Sequence, residues 1–358
     1  MIDIATLLIL ASCVAVALAW LAPRSWAFDV VALWTVAVLA WLSWPTALWL
    51  ALVTLLTPLV LQAGERVPYR GAVAGFWAAL LLAGFVAAQV MVSQVWIGGA
   101  FFTLRALHVV GDWWLGRQLA PSLRAHWRYQ LFLPVLFVGP IHRLPHFARQ
   151  VERRRWDPAD FAIGAERAIT GLFWATVFGE YLMAIARQRL LPLGGSPQDF
   201  AADWLASVLD WTSLYFVFAG LTSVALGLSR MAGLTLEENF DHPWRARNLI
   251  DFWTRWHMSL TSWCRDYVFT PVTALTRSPV AGLFAAMLAV GLWHEISLYY
   301  VLWSAWQAGG VLINRMAGHY LALHRLPELV RRIGAPILIL GWLSLARPVI
   351  LRLLEVAR

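Results

Sequence analysis

Along most of this chain apolar residues follow one another without a break, and polar positions gather into short interruptions. Uninterrupted apolar runs cover residues 4–22, 27–43, 46–63, 71–92, 160–186, 203–229, 279–293, 296–316 and 334–354. These runs approach or exceed the roughly 20 residues that an α-helix needs to cross the hydrocarbon core of a bilayer. Pro23-Arg24 and Pro45 mark the ends of the first two. The segments 93–116, 129–141 and 246–270 are apolar but interrupted. They predict buried, tilted or re-entrant pieces, because irregular backbone is tolerated at membrane depth only where protein surrounds it. The pattern predicts an all-α, polytopic integral membrane protein with about nine to eleven transmembrane or re-entrant helices. No linker divides the chain and no period repeats, so one membrane domain is expected. It would comprise scaffold helices over 1–93, a core over 94–316 and a C-terminal helix over 317–358.

Two polar passages interrupt the apolar text. Residues 142–160 read as a cytoplasmic loop carrying an amphipathic helix, and residues 237–247 lead into the most unusual part of the chain. The composition agrees with a membrane protein: 60% of the 358 residues are hydrophobic, 13% are charged and 23 are tryptophan. The net charge is +8, and every one of the 28 basic residues is arginine. In such a chain basic residues orient loops and attract anionic lipid, so nucleic acid is not an expected partner and the lipid bilayer is. Arg24, Arg66, Arg70 and the group Arg149, Arg153, Arg154, Arg155 mark cytoplasmic loops and place the N-terminus outside. The first run lacks a basic leader and reads as a retained span. Cys13 and Cys264 lie far apart in apolar surroundings and read as small buried hydrophobes.

Two histidines stand out against this background: His257 in the stretch Phe252-Trp253-Thr254-Arg255-Trp256-His257, and His294 in Gly291-Leu292-Trp293-His294. A titratable group at membrane depth is costly and reads as functional, and imidazole can act as a general base near neutral pH. Read as one helix, residues 252–267 put Trp253, His257, Thr261 and Cys264 on one face, with Trp256, Leu260 and Trp263 beside it. Asp251 and Arg255 are one turn apart and can neutralise each other. Gly291 permits close approach of a neighbouring helix, and Trp293 and Glu295 flank the second histidine. Each histidine can instead be a core residue bonded to a backbone carbonyl. Glu180 lies inside a span, either functional or paired with an arginine such as Arg187. His108, His126, His142, His146, His242, His319 and His324 fall near interfaces or loops, where solvated roles are expected. No phosphate loop, dinucleotide fingerprint, nucleophile elbow or metal-binding histidine pair occurs.

The run Glu238-Asn239-Phe240, Pro243, then Asp251 through Leu260, Trp263 and Arg265-Asp266-Tyr267 resembles the signature of membrane-bound O-acyltransferases. The bacterial branch that acylates envelope polymers, typified by alginate O-acetylases and teichoic-acid D-alanyl transfer proteins, is the most similar. Gly291-Leu292-Trp293-His294 followed by Trp303 resembles the family's second signature. Phe101-Phe102-Thr103-Leu104-Arg105, Gly139-Pro140-Ile141-His142-Arg143 and Gly171-Leu172-Phe173 also resemble family segments. The resemblance implies a ring of helices around a tunnel in the bacterial cytoplasmic (inner) membrane. An acyl thioester, acetyl-CoA or an acyl carrier protein, would enter from one side and a hydroxyl of an envelope or exported glycan from the other. No bound cofactor or metal is implied, and an extracytoplasmic acyl-relay protein is a conceivable partner. His294 would be the catalytic base and His257 the second catalytic residue. Trp253, Trp256, Thr261, Trp293, Glu295 and Asn239 would line the substrate path. The chain departs from the family pattern at Glu295, where glycine is usual, and at Trp174-Ala175, where two lysines are frequent.

Two other classes compete. Histidines on separate helices can clamp a haem for electron transfer, and they can line the path of a transporter. The long motif around His257 has no purpose in the first case, and the inverted repeats that would favour the second are not evident.

Overall fold

The computed structural model describes residues 3–91, 97–191, 199–320 and 327–356, and the described residues form helices and connecting turns without a strand. The helices are α1 (Ile4–Leu21), α2 (Ala27–Leu42), α3 (Trp44–Gly64), α4 (Arg70–Met91), α5 (Gly99–Trp114), α6 (Leu123–Gln130), α7 (Leu144–Arg153), α8 (Pro158–Phe173), α9 (Met183–Leu190), α10 (Phe200–Met231), α11 (Leu249–Arg255), α12 (Met258–Cys264), α13 (Thr270–Thr276), α14 (Pro279–His294), α15 (Leu298–Tyr320) and α16 (Glu328–Val356). π-helical turns over Trp174–Leu182 and Arg265–Phe269 join α8 to α9 and α12 to α13. Among the described residues, six helical stretches are long and apolar enough to cross a membrane, one of them the 33 residues Pro158–Leu190; α2 and α14 are shorter apolar helices. The chain is therefore an all-α polytopic membrane protein.

Each predicted run falls on a helix to within two residues at its ends, with 22, 43, 296 and 297 just outside; residue 92, with 93–96 of the next segment, lies outside the described residues. The local signals explain the boundaries. Asp3 caps α1 by accepting from the Thr6 amide (2.6 Å), and Ser278 caps α14 ahead of Pro279, whose missing N–H costs nothing at that position. The amphipathic helix predicted after residue 142 is α7.

Two units gather these helices. The first contains Met1–Gly171 and Leu221–Glu237, and the second contains Leu172–Gly220 and Glu238–Arg358. The long helix α10 thus contributes Phe200–Gly220 to the second unit and Leu221–Met231 to the first. In the first unit α8 and α10 meet backbone to backbone at Gly164 and Gly227: a Cβ built on Gly164 would lie 2.7 Å from the Gly227 carbonyl oxygen. Small residues permit such approach, and it is how helices associate without a hydrophobic drive. Asp29 in the first turn of α2 accepts from both Arg124 (2.7 Å) and Arg128 (2.5 Å) of α6.

Three expectations fail in this unit. Arg154, expected in a solvated cytoplasmic run, is buried: it donates to the Ala19 carbonyl (2.6 Å) and lies over Trp20 and Phe28. Cys13 is exposed on the outer side of α1, because the helix turns a different face inward. His108, His126 and His142 are fully buried rather than solvated, since α6 and the segment before α7 fold back among the helices. Each finds a backbone partner. His126 Nδ1 meets the Thr54 carbonyl (2.8 Å), His142 Nδ1 meets the Pro140 carbonyl (3.2 Å), and His108 Nε2 accepts from the Leu144 amide (3.1 Å).

In the second unit, the π-helical turns set Gly179 against Val217 of α10. Trp306 of α15 stacks on Trp342 of α16 with centroids 4.5 Å apart. Arg187 pairs with Asp210, which also receives Arg347. The partner of Arg187 is thus an aspartate of α10 and not Glu180, which is exposed.

Candidate active site

The predicted helix over 252–267 is broken at His257. α11 ends at Arg255 and α12 begins at Met258; between them His257 adopts a left-handed backbone (φ 44°, ψ 54°). Trp253 and His257 therefore do not share a helical face, and the one-face expectation holds only from Met258 onward. A non-glycine residue in this conformation costs about 1–3 kcal/mol and persists only where its surroundings impose it. Asn239 imposes it. The Asn239 carbonyl accepts from the Met258 amide (2.8 Å), and the Asp241 amide donates to the Arg255 carbonyl (3.0 Å). Arg255 completes the brace, with Nε on Asp251 (2.7 Å) and Nη1 on Asp241 (2.8 Å). His242 and Arg255 hold the Asp241 carboxyl below the usual carboxylate range, which keeps the brace charged.

The Asn239 side chain then sets the chemistry of the ring. Its Oδ1 receives the Ser259 amide (3.3 Å), the Ser259 hydroxyl (2.8 Å) and His257 Nδ1 (3.0 Å). A backbone N–H can only donate, so the atom facing Ser259 is the amide oxygen. Nδ1 of His257 must then carry the proton, and Nε2 is the basic nitrogen of the neutral ring. The ring is buried, packed edge-on against Phe218 (4.8 Å) and Trp293 (5.7 Å).

His294 closes α14, with Glu295 as the capping residue whose amide bonds the Gly291 carbonyl (3.1 Å). Its imidazole stacks nearly parallel on Tyr300 (5.4 Å, 15°) and meets Trp293 (4.7 Å) and Trp303 (6.0 Å) edge-on. His294 remains exposed beside these three aromatic rings. Trp293 touches both imidazoles and so couples the two signature segments. The close α14–α15 contact depends on Gly291, as expected: a Cβ there would lie 2.1 Å from Ser304 Oγ and 2.7 Å from the Tyr300 carbonyl oxygen.

The other predicted residues divide. Trp253 is buried and packs on Trp303, which in turn meets His294. Trp256 belongs to an aromatic cluster with Trp211, Tyr215, Phe240 and Phe252. Thr261 bonds the Trp256 carbonyl through its hydroxyl (3.2 Å) and the His257 carbonyl through its amide (3.0 Å), which supports the broken turn. Glu295 is exposed at the end of α14, close enough to Tyr300 to act on it electrostatically. Phe218 and Tyr300, which the sequence reading did not single out, complete the surroundings of the two rings. Tyr300 was within reach, being one turn before Trp303 on a helix starting just past His294. Phe218 was not, because it comes from α10.

A profile of the membrane-bound O-acyltransferase family matches residues 117–345, which holds both histidines and every element of this site. The chain belongs to the membrane-bound O-acyltransferase family. Among curated proteins it is similar to the "probable alginate O-acetylase AlgI" of Pseudomonas aeruginosa, 29% identical over 69% of this chain and 48% of the relative. It is also similar to a teichoic acid D-alanyltransferase of Bacillus subtilis, 30% identical over 50% of this chain and 48% of that protein. A peptidoglycan O-acetyltransferase of Helicobacter pylori is 25% identical over 52% of this chain and 36% of its own length. The chain matches about half the length of the first two of these relatives.

Proposed function

We propose that this chain is a membrane-bound O-acyltransferase of the cytoplasmic membrane that moves an acyl group, acetyl in the simplest case, from a thioester to a hydroxyl of a polysaccharide or other envelope polymer. The observation that carries the reading is the pair of imidazoles joined through Trp293, one of them held in a single tautomer by Asn239. The names of the relatives support the acceptor class, since they pair acetyl or D-alanyl transfer with alginate, peptidoglycan and teichoic acid.

In this reading a ring nitrogen of His294 takes the acceptor's hydroxyl proton as the oxygen attacks the thioester carbonyl carbon. The carbon–sulfur bond then breaks, and the leaving thiolate recovers the proton from the imidazolium. No charge or electron is left over. His257, fixed with Nε2 as its basic nitrogen, positions the reactants by accepting a hydrogen bond. Burial of the His257 ring against Phe218 and Trp293 limits water on that side of the pair. Glu295 stands exposed next to His294 at the end of α14. A haem clamped between the two histidines would have to displace Trp293, which counts against the electron-transfer reading.

The test is transfer of label from acetyl-CoA to envelope polymer in membranes, with acetyl carrier protein as a second donor. His294→Ala should lower labelling by about 10²–10⁴-fold, the usual worth of a general base. Equal labelling by wild type and variant would overturn the assignment. His257→Ala should lose less, and the reverse order would exchange the two roles.

A further inference from the structure

The second unit contains a cavity of about 1570 Å³, and none of the residues lining it packs on the His257 or His294 ring. Residues 244–250 form one wall, the second half of α15 another and the first half of α16 the third. The space exceeds the roughly 300–1,000 Å³ of a pocket for a drug-sized ligand, so a small ion would not fill it. Four guanidiniums border it, from Arg245, Arg247, Arg315 and Arg332, and all four residues are exposed. Arg247, Arg315 and Arg332 pair with no carboxylate among the described residues, while Arg245 has Asp241 as an electrostatic neighbour. Glu328 is the single carboxylate among the lining residues and pairs with none of these arginines.

Two amides add donors to the same walls. Asn314 Oδ1 accepts from the Leu249 amide (3.1 Å) and Asn248 Oδ1 from the Asp251 amide (2.8 Å), which leaves each side chain its NH2 group to donate. The polar lining is thus almost all donor, the chemistry that receives phosphate oxygens. Polarity also falls along both helices. On α16 the lining runs from Arg332 to Leu338, about 9 Å deeper, and Trp342, about 15 Å deeper. On α15 it runs from Arg315 back through Ile313 to Gly310. Beyond Gly310 on α15, Trp306 stacks on Trp342. The apolar part is open at the side: Ile250, Ile313 and Leu338 line the cavity and are exposed, Leu338 by 75%. A water-soluble phosphate has no use for such an opening, whereas acyl chains leaving a cavity in a membrane-spanning helix pair require one. Basic pockets between membrane helices suit anionic lipid headgroups.

We propose that this cavity binds an anionic phospholipid, with its phosphate among Arg245, Arg247, Arg315 and Arg332 and its chains along Ile313, Leu338 and Trp342. A lipid seated there ties the start of α11 to α15 and α16, and the far end of α11 leads into the His257 turn.

The test uses the full chain, purified and delipidated in non-ionic detergent. Its thermal unfolding, followed by tryptophan fluorescence, should shift upward saturably with phosphatidylglycerol in mixed micelles and not with phosphatidylcholine of the same chains. Arg315→Gln with Arg332→Gln removes two exposed charges from the cavity and should weaken the apparent affinity about tenfold or more. Arg66→Gln with Arg189→Gln removes the same charge elsewhere from exposed positions and should leave the affinity within about twofold, which separates this site from general attraction of a basic protein to anionic lipid. Lipid extracted from the protein before delipidation covers a ligand carried through purification: wild type should retain anionic phospholipid that the Arg315/Arg332 double variant loses. Equal shifts with the two lipids and no retained anionic lipid would overturn the proposal. So would a phosphatidylglycerol response that the two double variants share. A saturable shift from coenzyme A, absent with phosphatidylglycerol and lost in the Arg315/Arg332 variant, would assign the cavity to a soluble phosphate and also overturn it.

Discussion

Replacing Asn239 by alanine removes an acceptor that three donors share: the Ser259 amide, the Ser259 hydroxyl and His257 Nδ1. A typical hydrogen bond contributes a net 0.5–1.5 kcal/mol, and a buried donor left without a partner costs about 1–3 kcal/mol. The hydroxyl can rotate to another acceptor, and the backbone bond from Met258 to residue 239 survives the substitution. The Ser259 amide cannot turn to another acceptor and the imidazole loses one bond, which together set the loss at about 1.5–4.5 kcal/mol. Much of it falls on the left-handed turn, because the turn's own cost of about 1–3 kcal/mol is no longer offset. The imidazole is then free to rotate and to move its proton to Nε2. Labelled acetyl transfer in membranes should fall by about 10–100-fold, mainly in kcat, for a loss of roughly 1.4–2.7 kcal/mol in the transition state. Asn239→Asp keeps an acceptor oxygen for all three donors and should retain much more activity than Asn239→Ala. The assay needs both variants at matched membrane expression, with melting temperatures measured in detergent. Wild-type turnover in Asn239→Ala would refute the clamp, as would an Asp variant no better than the Ala variant at equal stability.

Gly291→Ala should destabilise the protein by about 1–3 kcal/mol and lower turnover at least tenfold, because its Cβ would meet Ser304 Oγ at 2.1 Å and the Tyr300 carbonyl at 2.7 Å. Adding Ser304→Ala should recover only part of the loss, since the backbone contact remains; melting and labelling of the double variant check this. Tyr300→Phe should preserve the stacked ring on His294 and keep turnover within about threefold, while Tyr300→Ala should lose about tenfold, consistent with the roughly 0.5–1.5 kcal/mol worth of an aromatic pair. Arg154→Ala should lower the melting temperature through a loss of about 2–4 kcal/mol, because the guanidinium is held by Trp20, Phe28 and the Ala19 carbonyl. A change within experimental error would return Arg154 to the solvated run.

The helices were legible because apolar length is a strong signal and proline, aspartate and serine mark their ends, as at Asp3 and Ser278. Both histidines could be picked out from their surroundings, and the fold brings both rings against Trp293. What failed was continuity. A pattern of period 3.6 fits 252–267 whether the helix is whole or broken, and the break at His257 is enforced by Asn239, eighteen positions upstream. The burial of His108, His126 and His142 was hidden for a related reason. Short polar segments look like solvated loops until the fold gives each imidazole a backbone partner, and sequence spacing does not carry that information. The Asp210 partner of Arg187 was hidden in the same way, since Glu180, about two turns before it, was the nearer carboxylate in sequence.

Two backbone contacts, from Met258 to Asn239 and from Asp241 to Arg255, run in opposite directions between the same two segments. They act as a register mark: counting forward on one segment means counting backward on the other. A residue inserted or deleted between 239 and 241, or between 255 and 258, would put the wrong position opposite Asn239 and turn a different side chain toward Trp293. The connection from Gly233 to Glu237 lies before the first contact and can change length without moving either. Tolerance to insertion should therefore change sharply within a few residues of one loop, and that boundary marks where the protein stops being a membrane scaffold and starts being a site.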